Sequence, residues 1–138
     1  RLYLPPNQDP IYGYQSVNVE AQRDSSTSLL NWTRTMLTVR GRYDAFAIGA
    51  FRELGGSNPS VLAYVREMDG DGDTVLCVNN LSRFPQPIEL NLQIWNGYTP
   101  LEMTGYVEFP RIGQLPYLLT LPGHGFYWFQ LRAPEEQP

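Results

Sequence analysis

The sequence predicts a mainly β chain, an antiparallel sandwich that follows one amphipathic helix. Apolar residues recur at helical spacing between Ser25 and Arg42, and from Ala45 onward the period falls to two. The alternating runs are broken by Gly, Pro and Asn at intervals of about eight to fifteen residues, which is the punctuation of a sandwich.

Residues 1–24 come first and show little regular period. Pro5-Pro6 and Asn7-Gln8-Asp9-Pro10 fix extended or turn conformations and discourage helix before Tyr12. An irregular stretch of this length is typical of a binding loop. Its tyrosines and amides can stack on or hydrogen-bond a sugar, and they can equally well pack and cap the loop itself.

The helix follows. Leu29, Trp32, Met36, Val39 and Tyr43 form a stripe that Leu30 and Leu37 widen. Asp24, Ser25 and Ser26 offer side-chain oxygens to the unpaired N–H groups of the first turn. Arg40 and Arg42 sit at the negative end of the dipole, and Gly41 is a suitable stop. No second helix is expected to receive this stripe, so the strands or something outside these residues must cover it.

Strands are expected at Ala47 to Leu54, Val61 to Glu67, Thr74 to Asn80, Pro87 to Leu92, Tyr98 to Met103, Tyr117 to Leu121 and Phe126 to Leu131. Pro134 to Pro138 is a polar tail with no reason to fold. The organisation expected is therefore 1–44 as loop and helix, 45–133 as the sandwich, and 134–138 as the tail.

At 138 residues the chain holds one domain with a real core. A net charge of −4 with no basic cluster argues against nucleic acid or an anionic membrane as partner. No segment reaches the length of a membrane span, and no basic-then-apolar leader opens the chain. The single Cys77 lies in the apolar run Val75 to Val78 and reads as a buried structural thiol. These features together suggest a cytoplasmic protein. The start at Arg1, with no initiator Met, reads as part of something longer.

Asp69-Gly70-Asp71-Gly72-Asp73 alternates carboxylates as a calcium loop does, but Thr74 stands where that loop needs Gly and Asn80 where it needs Glu. A solvated hairpin turn is the expectation. His124, between Gly123 and Gly125, is the only histidine, which argues against zinc and for a tight turn into the last strand. Trp95, Tyr98 and Tyr106 can form an exposed aromatic platform, or can belong to the core.

Asn18-Val19-Glu20-Ala21-Gln22, Ser28-Leu29-Leu30-Asn31 and Val39-Arg40 resemble the end of the catalytic barrel in the α-amylase family of glycoside hydrolases. Four more segments resemble the bacterial trehalose synthases of that family: Leu4-Pro5-Pro6 with Pro10 to Gln15, Glu53 to Pro59, Leu76 to Pro87, and Leu118 to Phe129. The resemblance runs from Arg1 to about Leu131. It implies the end of a (β/α)8 barrel, as an irregular loop plus the last barrel helix, followed by an antiparallel C-terminal β-sandwich. The opening loop would then lie at the C-terminal face of the barrel, where active sites are built.

The activity implied is interconversion of maltose and trehalose by intramolecular glucosyl transfer with minor hydrolysis. It proceeds by a retaining double displacement between carboxylates about 5 to 5.5 Å apart. The motifs that hold those carboxylates in the family do not occur here, so no catalytic residue and no metal ligand is assigned to this chain. Glu20 reads as structural. Tyr12, Tyr14 and Gln15 are the candidates for the rim of the substrate cleft, with a barrel-packing role as the other reading. No cofactor is expected in this chain, and calcium belongs, if anywhere, to the upstream barrel. Expected partners are the remainder of the barrel, maltose and trehalose in the full enzyme, and a second copy in a homo-oligomer. A different class of function remains open, in which the sandwich docks a maltokinase or an α-glucan. A sister enzyme, such as an amylase or a sucrose-type isomerase, is the third reading.

Overall fold

The computed structural model describes residues 3–15, 17–70 and 72–135. Two compact units make up the chain, 1–40 and 41–138.

In the first unit, α1 (Val19–Asp24) and α2 (Leu29–Gly41) follow the opening loop. Neither begins where the apolar period alone would put it. The expected single helix from Ser25 starts four residues later, and α1 precedes it in a stretch expected to be irregular. Asn18 caps α1 by accepting from the Ala21 N–H at 2.8 Å. Ser28, rather than Asp24, Ser25 or Ser26, serves α2, accepting from the Asn31 N–H at 3.2 Å. Asn31 ties the junction together, its amide donating to the carbonyls of Gln22, Arg23 and Ser25. The expected stripe is only half buried. Met36 and Val39 are covered, whereas Leu29 is 71% and Trp32 50% exposed. Tyr43 falls beyond the end of the helix.

In the second unit, α3 (Ala45–Ile48) leads into β1 (Ala50–Leu54), β2 (Val61–Glu67), β3 (Thr74–Asn80) and β4 (Gln86–Leu90). A short 3₁₀ turn, Gln93–Trp95, precedes β5 (Thr99–Glu102), β6 (Val107–Glu108), β7 (Tyr117–Leu121) and β8 (Phe126–Arg132). The expected strand from Ala47 therefore divides. Ala45 to Ile48 are helical, because Phe46 turns in to pack on Trp128 with ring centroids 4.9 Å apart. Leu92, expected to close a strand, is buried at the entry to the 3₁₀ turn.

All pairings are antiparallel. The larger sheet has the order β1-β2-β3-β8-β5-β6, and β4 pairs with β7 in a second sheet. Alternation along the strands separates the faces. Val65 pairs with Leu76, and Leu76 with Phe129, so these three share one face. That face meets Ile88, Leu90, Leu119 and Leu121 of the second sheet in one continuous apolar core. Cys77 and Trp128 pair on the opposite face, which α3 covers with Phe46. Cys77 is fully buried there, as expected of a structural thiol. The architecture is thus the antiparallel β-sandwich expected from the sequence.

Candidate functional site

The opening loop is held by its own short polar side chains. One Asp9 carboxylate oxygen accepts from the backbone N–H of Ile11 at 2.8 Å and of Tyr12 at 2.9 Å. These bonds, the one from Tyr12 foremost, hold its pKa below the ordinary value. The Asp9 carbonyl accepts from Gly13 N–H at 2.6 Å, and that of Asn7 from Tyr14 N–H at 2.8 Å. A Cβ on Gly13 would stand 2.2 Å from the Asp9 carbonyl oxygen, so only glycine permits this approach. Asn18 closes the far end, its amide donating to the carbonyls of Tyr14 and Gln15 while its oxygen caps α1.

On this frame Tyr12 is 73% and Tyr14 48% exposed. Gln15 donates to the Tyr14 hydroxyl at 3.4 Å, so these two of the three candidate residues stand together. Gln15 also lines a recess of about 230 Å³ with Gln8, Asp9, Pro10 and Gly13, whereas Tyr12 is not among its lining residues. The arrangement offers aromatic faces, two phenolic hydroxyls and an amide, the kinds of group that can stack on or hydrogen-bond a sugar. Asn7, Asp9 and Asn18, which build the frame, carry no periodic signal. Only the turn chemistry of Asn7-Gln8-Asp9-Pro10 marks part of it in the sequence.

No group of three or more His, Cys, Asp or Glu is placed to hold a metal among the described residues. In the Asp69 to Asp73 turn, which joins β2 to β3, Met68 N–H donates to the Asp73 carbonyl at 3.0 Å and Gly70 takes φ +68°. Asp71 lies outside the described residues. The Asp73 carboxylate accepts from Gln130 at 3.1 Å, which ties the turn to β8. The buried carboxylate of Glu102 is likewise occupied, accepting from the N–H groups of Thr104 at 2.9 Å and Gly105 at 2.7 Å.

The aromatic platform does not form as one surface. Trp95 is 5% exposed and belongs to the core, Tyr98 packs against that core, and Tyr106 alone stands out. The reason is the 3₁₀ turn, which rolls Trp95 inward. His124 occupies the expected tight turn. Its φ is +53°, its N–H donates to the Ser82 carbonyl at 2.8 Å, and a Cβ on Gly123 would meet the Arg83 carbonyl oxygen at 2.1 Å. No helix is long and apolar enough to cross a membrane among the described residues.

The chain is 79% identical to a trehalose synthase/amylase of Mycolicibacterium smegmatis, over all of this chain and 24% of that protein. It is 81% identical to a trehalose synthase/amylase of Mycobacterium tuberculosis over 98% of this chain and 23% of that protein. A trehalose synthase of Pimelobacter sp. is 62% identical over 98% of this chain. The chain thus spans about a quarter of the length of these relatives. Among solved structures, an isomaltulose synthase of Klebsiella sp. superposes with a TM-score of 0.63 at 22% identity, over 89% of this chain and 21% of that one. The trehalulose synthase of Pseudomonas mesoacidophila gives 0.63 at 23% identity, over 89% and 21%. These two show the fold alone. The resemblance to trehalose synthases read from the sequence is borne out, and the match of residues 51–128 to the model of the maltogenic amylase C-terminal domain shows that the chain belongs to that family.

Proposed function

We propose that this chain is the C-terminal part of a trehalose synthase, which interconverts maltose and trehalose by intramolecular glucosyl transfer, and that it supports the catalytic barrel without supplying the catalytic carboxylates. The observation that carries this reading is the 81% identity to a trehalose synthase/amylase across 98% of the chain. The sandwich supports it from the other side, since the one buried carboxylate of the described residues, Glu102, is spent on its own turn.

The exposed side chains of α2 fit the same reading. Leu29 and Leu37 leave apolar surface on this helix, and burying a side chain of that size contributes roughly 1.5–3 kcal/mol. In this reading the preceding barrel covers that surface. Tyr12, Tyr14 and Gln15 stand at the cleft rim in this reading, where they orient the released glucose and keep water from the glucosyl-enzyme. Their exposure on a frame of polar turns supports a role at a surface rather than in a core.

The test is made on the full-length protein. With maltose as substrate, the Tyr14→Ala variant is expected to release about tenfold more free glucose per trehalose formed, a change equivalent to roughly 1.4 kcal/mol between the competing steps. An unchanged ratio of hydrolysis to isomerisation removes Tyr14 from the rim. A full-length protein that forms no trehalose from maltose removes the whole reading.

A further inference from the structure

At one end of the larger sheet, where β3 begins, β8 ends and β5 begins, two adjoining recesses of about 500 and about 690 Å³ share Arg132 and Ala133 as a common wall. We propose that together they form a binding groove for an α-linked gluco-oligosaccharide, built from none of the residues of the opening loop.

The strand order brings the polar groups of the groove together. β8 lies between β3 and β5, and Arg132 at its end pairs with Thr99 at the start of β5. On the other side Val75 pairs with Gln130, and the Gln130 amide donates to one Asp73 carboxylate oxygen at 3.1 Å. That bond fixes both side chains, while the second Asp73 oxygen and the Gln130 carbonyl have no hydrogen-bond partner among the described residues. Arg132 stands 3.8 Å from Glu108, too far for a hydrogen bond. Arg111, on the wall of the larger recess, has neither a hydrogen bond nor an ion pair among the described residues. Donors and acceptors therefore line the groove with bonding capacity to spare.

The chemistry of this lining selects the class of ligand. Asp73, Glu108 and Glu135 oppose an anion, and Arg111 and Arg132 oppose a cation. A hydroxyl both donates and accepts, so a neutral polyol satisfies carboxylate and guanidinium together. Such bonds are charge-assisted, and the planar guanidinium fork spans two neighbouring hydroxyls. Tyr98, half-buried against the core, adds an aromatic wall on which the apolar face of a sugar ring can lie. Each recess falls within the roughly 300–1,000 Å³ of a small-ligand site, so the pair accommodates an oligosaccharide rather than one ring. The choice of α-linked glucose rests on the trehalose synthase reading, whereas the polyol class rests on the lining alone.

The experiment follows hydrogen exchange in the full-length protein with and without millimolar maltoheptaose, and repeats it on the Arg111→Ala/Arg132→Ala variant. Both arginines are exposed, so exchange across Val61 to Glu67 is expected to be unchanged in the variant and serves as the check that it folds. In the wild type the sugar is expected to slow exchange about threefold across 72–75 and 130–133, and the variant is expected to lose that protection. Arg132→Lys, which keeps the charge and the stem but not the planar fork, is expected to weaken the protection and takes the place of the double variant if that one does not fold. A wild type without protection at these amides overturns the proposal, as does equal protection in a folded variant. Trehalose formation from maltose is measured on the same wild-type sample. Its absence alongside protection removes the enzyme reading and leaves the groove standing, whereas its presence without protection removes the groove alone.

Discussion

Tyr117 shows how one residue joins packing to pH. Its ring lies in the core while its hydroxyl donates to the Pro110 carbonyl at 2.7 Å, and burial pushes its pKa above the ordinary 10.0. The folded state thus holds the phenolic proton more tightly than the unfolded chain does. The resulting stability is complete below the ordinary tyrosine value and is lost as pH rises through the raised one. Replacing Tyr117 with Phe in the full-length protein is expected to cost about 1 kcal/mol at neutral pH through the lost hydrogen bond. It is also expected to remove part of the alkaline loss, which urea unfolding at neutral pH and above the ordinary tyrosine value will read. Tyr43 is raised as well, chiefly by burial, and keeps its own share in the variant.

Among the elements, Asn80 makes a polar link between the end of β3 and two neighbouring segments. Buried to 3% exposure, its amide donates to the carbonyls of Phe84 at 2.7 Å and Pro122 at 2.9 Å, while its oxygen accepts from Ser82 N–H at 2.9 Å. Asn80→Ala leaves these groups without their partner and is expected to cost about 1–3 kcal/mol in urea unfolding, with the loop 81–85 the first to gain hydrogen exchange. An unchanged midpoint contradicts this role. The strands flanking such links were legible in the sequence. Val61–Glu67, Thr74–Asn80 and Tyr117–Leu121 fall on the expected residues, because their apolar runs are bounded by Asp, Asn and Pro. What was not legible is what depends on contacts rather than period. α1 buries no side chain and is marked by the Asn18 cap, α3 is four apolar residues that read equally as strand, and β6 exists through its pairing with β5. The candidate rim is similar. Tyr12, Tyr14 and Gln15 came from resemblance, whereas the bonds from Asn7, Asp9 and Asn18 that position them belong to no repeating pattern.

For the whole molecule, the sandwich completes its core between its two sheets, while α2 leaves Leu29 and Leu37 exposed. That contrast, with about a quarter of the relatives' length covered, is what the proposed barrel resolves. The same proposal separates support from chemistry, placing the reacting carboxylates outside these residues. The most direct measurement follows maltose by its anomeric proton resonances in three samples: the full-length protein, residues 1–138 alone, and the upstream polypeptide alone. The account predicts trehalose in the first sample and none in the other two. Trehalose formed by residues 1–138 alone, or by the upstream polypeptide alone, would contradict it.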